Sequence, residues 1–113
     1  MALKAHTGFS VPETTNLEGR IADHFESLGY DLRQESSVEW VFHRGNKLSA
    51  LWRFDIRAYD TTLTVRADRQ TNGDTWVSCD WEVYTFMSIT NGGDVATLEA
   101  EGRSLESALR RTA

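Results

Sequence analysis

The chain has a single cysteine, Cys79, among its 113 residues. No intrachain disulfide is possible, which fits a reducing compartment. Proline is equally scarce: Pro12 stands alone near the N-terminus. The body of the chain can therefore run in unbroken strands and helices. No apolar run approaches the ~18 residues that read as a membrane span. Met1 to Val11 has one lysine and no apolar segment of the kind a secretory signal carries. These absences make the cytoplasm the expected location. An excess of basic residues is also missing. Lys and Arg number 12 against 17 Asp and Glu, a formal charge of −5. Phosphate contact needs a basic surface, so nucleic acid is not an expected partner. There is no internal repeat and no low-complexity run.

Apolar residues make up 40% and charged residues 26%, as in an ordinary soluble domain. A single domain over 1–113 is expected, with residues 1–11 either an edge strand or a tail. Four Trp, five Phe and three Tyr are more aromatics than one small core needs. The surplus leaves material for a surface.

Periodicity divides the chain. Leu17, Ile21, Phe25 and Leu28 recur at helical spacing, and Thr15 with Glu18 has capping-box spacing. Gly29 suits the position after a helix C-terminus. A helix over 15–28 follows. Tyr30 and Leu32 then alternate with Asp31 and Arg33, and the polar stretch Gln34 to Ser37 reads as a bulge or bend. Val38, Trp40 and Phe42 continue the alternation, and Arg44-Gly45-Asn46 reads as a hairpin turn. Trp52, Phe54 and Ile56 form the apolar side of a next strand, followed by a turn at Tyr59-Asp60. Leu63, Val65 and Ala67 do the same for a third. Asn72-Gly73 is the strongest hairpin signal, and Val77, Cys79, Trp81 and Val83 share one side of the last strand. After the loop Asn91-Gly92-Gly93, Asp94 is placed to cap a helix over 95–111. Its buried stripe is Leu98, Gly102, Leu105 and Leu109. Gly102 on that stripe implies close approach to the sheet, against a Trp.

The expected fold is α+β. It is a two-layer sandwich with a four-stranded antiparallel meander, or five strands if the N-terminal segment joins. An N-terminal and a C-terminal helix pack on one face. With Phe9–Val11 as a strand, the β-α-β4-α order resembles the TATA-binding-protein-like architecture, with helix-grip folds as looser relatives. Three segments also resemble a family of small uncharacterised bacterial proteins. They are Phe42-His43-Arg44-Gly45, then Asp55-Ile56-Arg57 with Leu63 and Val65, and Leu98-Glu99-Ala100-Glu101-Gly102-Arg103 with Leu105-Glu106. That resemblance implies a fold and no activity.

The polar sheet face carries the functional candidates. Alternation places His43, Arg53, Asp55, Arg57, Arg66, Asp80 and Glu82 on it. Trp76, Tyr84 and Phe86 fall on the same side, as an aromatic rim. Arg53, Arg57 and Arg66 are possible anion contacts. Tyr and Trp are common interface anchors. The favoured function is a non-catalytic protein-interaction domain, self-association included. A small-ligand or lipid carrier, with a cavity between the sheet and the C-terminal helix, is the alternative. An enzyme using His43 as a base, oriented by Glu39 or Asp55, is the third. The histidines His6, His24 and His43 lack metal-site spacing, so no metal or cofactor is expected. Cys79 sits among apolar neighbours and reads as a small hydrophobe.

Overall fold

Alternating apolar residues build the sheet, and two apolar helix stripes cover it. In the computed structural model, residues 2–45, 60–84 and 92–110 are described. The elements are β1 (Ala2–Val11), α1 (Leu17–Ser27), β2 (Asp31–Glu35), β3 (Glu39–Arg44), β4 (Thr61–Arg69), β5 (Thr75–Tyr84) and α2 (Gly92–Arg110). The five strands form one antiparallel sheet in the order β1-β5-β4-β3-β2. The fold is α+β, with a helix near each end of the chain.

The N-terminal segment is a full strand at one edge. It pairs with β5 from Ala2↔Tyr84 to Val11↔Thr75. β1 thus closes the sheet beside β5, the last strand, and β2 closes the opposite edge.

The period-two reading of β4 and β5 holds residue by residue. Leu63, Val65, Val77, Cys79 and Val83 are fully buried, while Thr62, Arg66, Trp76, Asp80 and Glu82 on the opposite face are exposed. Gly73, at φ 91°, makes the turn that joins these strands, as Asn72-Gly73 predicts. One continuous core joins the inner sheet face to Ile21 and Phe25 of α1 and to Leu98, Leu105 and Leu109 of α2.

Several local expectations change. The Thr15–Glu18 capping box does not form. Helix α1 starts at Leu17, and Asn16 occupies the N-cap in a left-handed conformation (φ 56°, ψ 44°) without a side-chain cap bond. The Asn16 amide instead lies over Gly19, where a Cβ would meet its nitrogen at 2.5 Å. Gly29 takes φ 95° beyond the helix C-terminus, as expected.

The polar break after β2 is a chain reversal rather than a bend in one strand. Ser36 closes it. Its Oγ accepts from the Val38 and Glu39 amides at 3.3 and 3.0 Å, and its own N–H donates to Glu39 O at 2.9 Å. Val38 therefore sits in a turn and is exposed rather than facing the core with Trp40 and Phe42. A register shift between Leu32 and Gln34 places a bulge at Arg33.

The expected strand through Trp52, Phe54 and Ile56 lies outside the described residues. Its expected place in the meander is nevertheless occupied. β3 pairs directly with β4, from Glu39↔Arg66 to Arg44↔Thr61. Arg44 ends β3 as a buried residue and Gly45 after it has φ 78°, while Asn46 of the expected hairpin turn lies outside the described residues. Helix α2 begins at Gly92, so Asp94 falls in its first turn instead of at the cap.

Candidate functional site

Antiparallel register arranges the outward side chains in rows across the sheet. Lys4, Glu82, Thr62, His43 and Asp31 form one row. His6, Asp80, Thr64 and Val41 form the next. Gly8, Ser78, Arg66 and Glu39 form a third, and Ser10, Trp76 and Asp68 a fourth. No described element covers this face, whereas both helices lie on the other.

The sequence candidates fall into three groups. His43, Arg66, Trp76, Asp80 and Glu82 do share the open face. Tyr84 is on it, half-buried, at the end of β5. Arg53, Asp55, Arg57 and Phe86 lie outside the described residues.

The charged members are largely matched to one another. His6 Nδ1 lies 2.7 Å from Asp80 Oδ1, with both side chains well exposed. Arg66 Nη1 is 3.5 Å from Glu39 Oε2, also exposed. Exposed pairs of this kind contribute only about 0–1 kcal/mol each. The row positions of Lys4, Thr62, Thr64 and Glu82 line a shallow cleft of about 390 Å3 with His6 and Asp80.

His43 is half-buried and its Nε2 is hydrogen-bonded to Asp60. The expected orienting residues were Glu39 and Asp55. Glu39 instead faces Arg66, two rows away from His43. Asp60, a turn residue by sequence, reaches His43 because β4 starts directly beside the end of β3. Among the described residues, no side chain hydrogen-bonds the other His43 nitrogen. A neighbouring cleft of about 260 Å3 is lined by Arg33, Val41, Phe42, His43 and Thr62.

Trp76 is 40% exposed and has a structural contact. Its indole lies over Gly8 of β1, so close that a Cβ at Gly8 would meet Cζ2 at 2.5 Å. An aromatic ring laid over a strand glycine replaces the packing which that glycine lacks.

A buried polar cluster forms around Glu101, with no motif in the sequence to mark it. Arg44 Nη1 donates to Glu101 Oε2 at 2.9 Å and Nη2 to Oε1 at 3.3 Å. Tyr30 OH donates to Glu101 Oε1 at 2.8 Å, and Trp81 Nε1 donates to Tyr30 OH at 3.1 Å. The guanidinium carbon stands 4.1 Å from the Tyr30 ring centroid, a cation–π geometry. Arg44 also donates to Leu28 O at 3.2 Å. The group ties β3, the end of α1 and α2 together. Burial, together with the Glu101 charge, pushes the Tyr30 hydroxyl pKa well above its ordinary value. In the sequence Arg44 reads as part of a hairpin turn. Only the observation that Glu101 precedes the buried Gly102 hinted otherwise.

Burial also pushes the Cys79 thiol up to about 12, reinforced by the charge of Asp80. It has no thiolate character to offer near neutral pH. Among the described residues, no three His, Cys, Asp or Glu side chains converge as a metal site, and no helix is long and apolar enough to cross a membrane.

Comparison with protein-family models and with curated proteins finds no match for the chain. The resemblance to a small bacterial family gains no support from it. What stands is a small α+β domain with a five-stranded antiparallel sheet and two flanking helices.

Proposed function

We propose that this is a small non-catalytic interaction domain whose open sheet face receives a protein partner. One observation carries the reading. The inner sheet face is sealed under two helices, while the outer face spans all five strands with no described element over it. That face is mixed in charge with carboxylates in excess, and it bears the half-exposed indole of Trp76. A partner with a basic, hydrogen-bonding surface suits it. The single buried cysteine supports a reducing, cytoplasmic setting for this role. The β-α-β4-α order resembles that of TATA-binding-protein-like domains, and likeness of order carries no activity by itself.

The carrier reading needs room between α2 and the sheet. At Gly102 there is none, since a Cβ would meet Trp81 Cη2 at 2.9 Å and Thr7 Oγ1 closer still. The enzyme reading has its histidine–carboxylate pair in His43 and Asp60. It lacks a nucleophile bonded to that histidine among the described residues.

Site-specific photo-crosslinking tests the proposal. A photoreactive residue at exposed Thr62, on the open face, is compared with one at exposed Ser107 on α2. The expected result is a discrete protein adduct from position 62, weakened by Glu82→Arg, and none from 107. Adducts from 107 with none from 62 overturn it.

A further inference from the structure

The two edges of the sheet are built differently. β2 is five residues long, bulged at Arg33, and carries Asp31, Arg33 and Glu35. Shortness, a bulge and alternating charges are the usual protections of an edge strand. β1 has ten residues in unbroken register with β5. It contains no carboxylate, and Lys4 is its one full charge. Pro12 comes only after it.

Register identifies the unpaired backbone groups. The Tyr84 amide donates to Asp60 O at 2.9 Å, toward the β4 side. The facing pair Ala2↔Tyr84 is therefore not hydrogen-bonded across to β1. Alternation then turns the N–H and C=O groups of Lys4, His6, Gly8 and Ser10 to the outer edge. The Ser10 carbonyl confirms this, since it accepts from Arg110 Nη2 at 2.6 Å. Arg110 thereby closes that end of the edge. Among the described residues, nothing bonds the outer groups of Lys4, His6 and Gly8.

We propose that this edge pairs with β1 of a second copy, antiparallel about a two-fold axis at His6. The unbonded span Lys4–Gly8 is symmetric about His6, so the same strand is its own complement. Lys4 faces the partner's Gly8, His6 faces the partner's His6, and each facing pair exchanges two backbone hydrogen bonds. Arg110 at Ser10 stops the pairing from running further. Charge favours this edge over any other. Two chains of net charge −5 repel, yet no carboxylate lies on the strand that meets its copy. Lys4 also arrives beside the partner's Gly8, under the partner's Trp76, a cation beside an exposed ring. Each His6 is already tied back to Asp80 of its own sheet. The pairing goes beyond the face reading, since it joins two open faces into one continuous surface.

Native mass spectrometry over a concentration series, with amide hydrogen exchange on the full chain, tests the pairing. The expected result is a dimer that grows with concentration, with the His6 and Gly8 amides exchanging more slowly in it. His6→Pro removes an outer-edge donor and leaves the ladder to β5 intact. It should keep the far-UV circular dichroism of the parent and raise the concentration of half-dimerisation at least about tenfold. If His6→Pro fails to fold, exchange in the unmodified chain decides the matter alone. A mass that stays monomeric at every concentration overturns the proposal. So does a dimer whose His6 and Gly8 amides exchange at the monomer rate. Neither result touches the crosslinking test of the open face.

Discussion

Gly102 of α2 packs against the indole of Trp81, and Thr7 of β1 closes on the same side. This contact sets how closely α2 approaches the sheet. In an exposed helix, replacing glycine by alanine adds about 1 kcal/mol of stability. Here the added methyl meets Trp81 Cη2 at 2.9 Å, and Trp81 is 1% exposed with its Nε1 bonded to Tyr30.

Gly102→Ala is accordingly expected to destabilise, by about 1–3 kcal/mol, because overpacking outweighs propensity. Urea unfolding measures it. Thr7→Ala removes the nearest obstacle, so the double variant should lose less than the sum of the two single changes. A stabilised Gly102→Ala protein would show that α2 can lift from the sheet at no cost.

The Arg44–Glu101 pair predicts an asymmetry. Both side chains are about nine-tenths or more buried, at 6% and 10% exposure. Glu101→Ala strands a buried guanidinium and deprives Tyr30 of its acceptor. A loss of about 3–5 kcal/mol is expected. Replacing both partners by apolar residues, as in Arg44→Met with Glu101→Leu, should recover most of that loss. Denaturation midpoints of the single and double variants decide it. A loss under about 1 kcal/mol for Glu101→Ala would mean that water reaches the pair.

Alkaline pH should weaken the fold before it affects anything else at Cys79. The folded thiol is raised from 9.0 to about 12, chiefly by burial. Above the unfolded value the unfolded chain gives up this proton while the folded chain keeps it. Unfolding is then favoured as pH rises, so stability is full below pH 9.0 and falls between there and about 12. Tyr30, raised in the same direction, adds to the fall at higher pH. Urea midpoints followed from neutral to alkaline pH test this, with Cys79→Ala expected to remove the earliest part of the decline. A native thiol that reacts rapidly with a disulfide reagent at neutral pH would contradict the burial argument.

Local pattern alone determined the elements that bury one side. Val77, Cys79, Trp81 and Val83 alternate because a strand shows every second residue to the core. Ile21, Phe25, Leu98, Leu105 and Leu109 fall on helical stripes for the matching reason. Asn72-Gly73 and Gly29 mark chain reversals that require positive φ, and Gly102 could be read as a close approach because glycine is costly elsewhere in a helix. Tertiary structure decided what pairs with what. Arg44 and Glu101 are far apart in sequence, and each looks ordinary in its own segment. His43 meets Asp60 rather than Glu39 because β3 lies directly beside β4. Asn16, not Thr15, precedes α1 because the chain enters that helix through a left-handed turn. The unguarded edge of β1 also exists only because the first strand joins the sheet beside the last. Periodicity records which side of an element avoids water. The neighbour on that side is chosen by packing over the whole chain, which no local window contains.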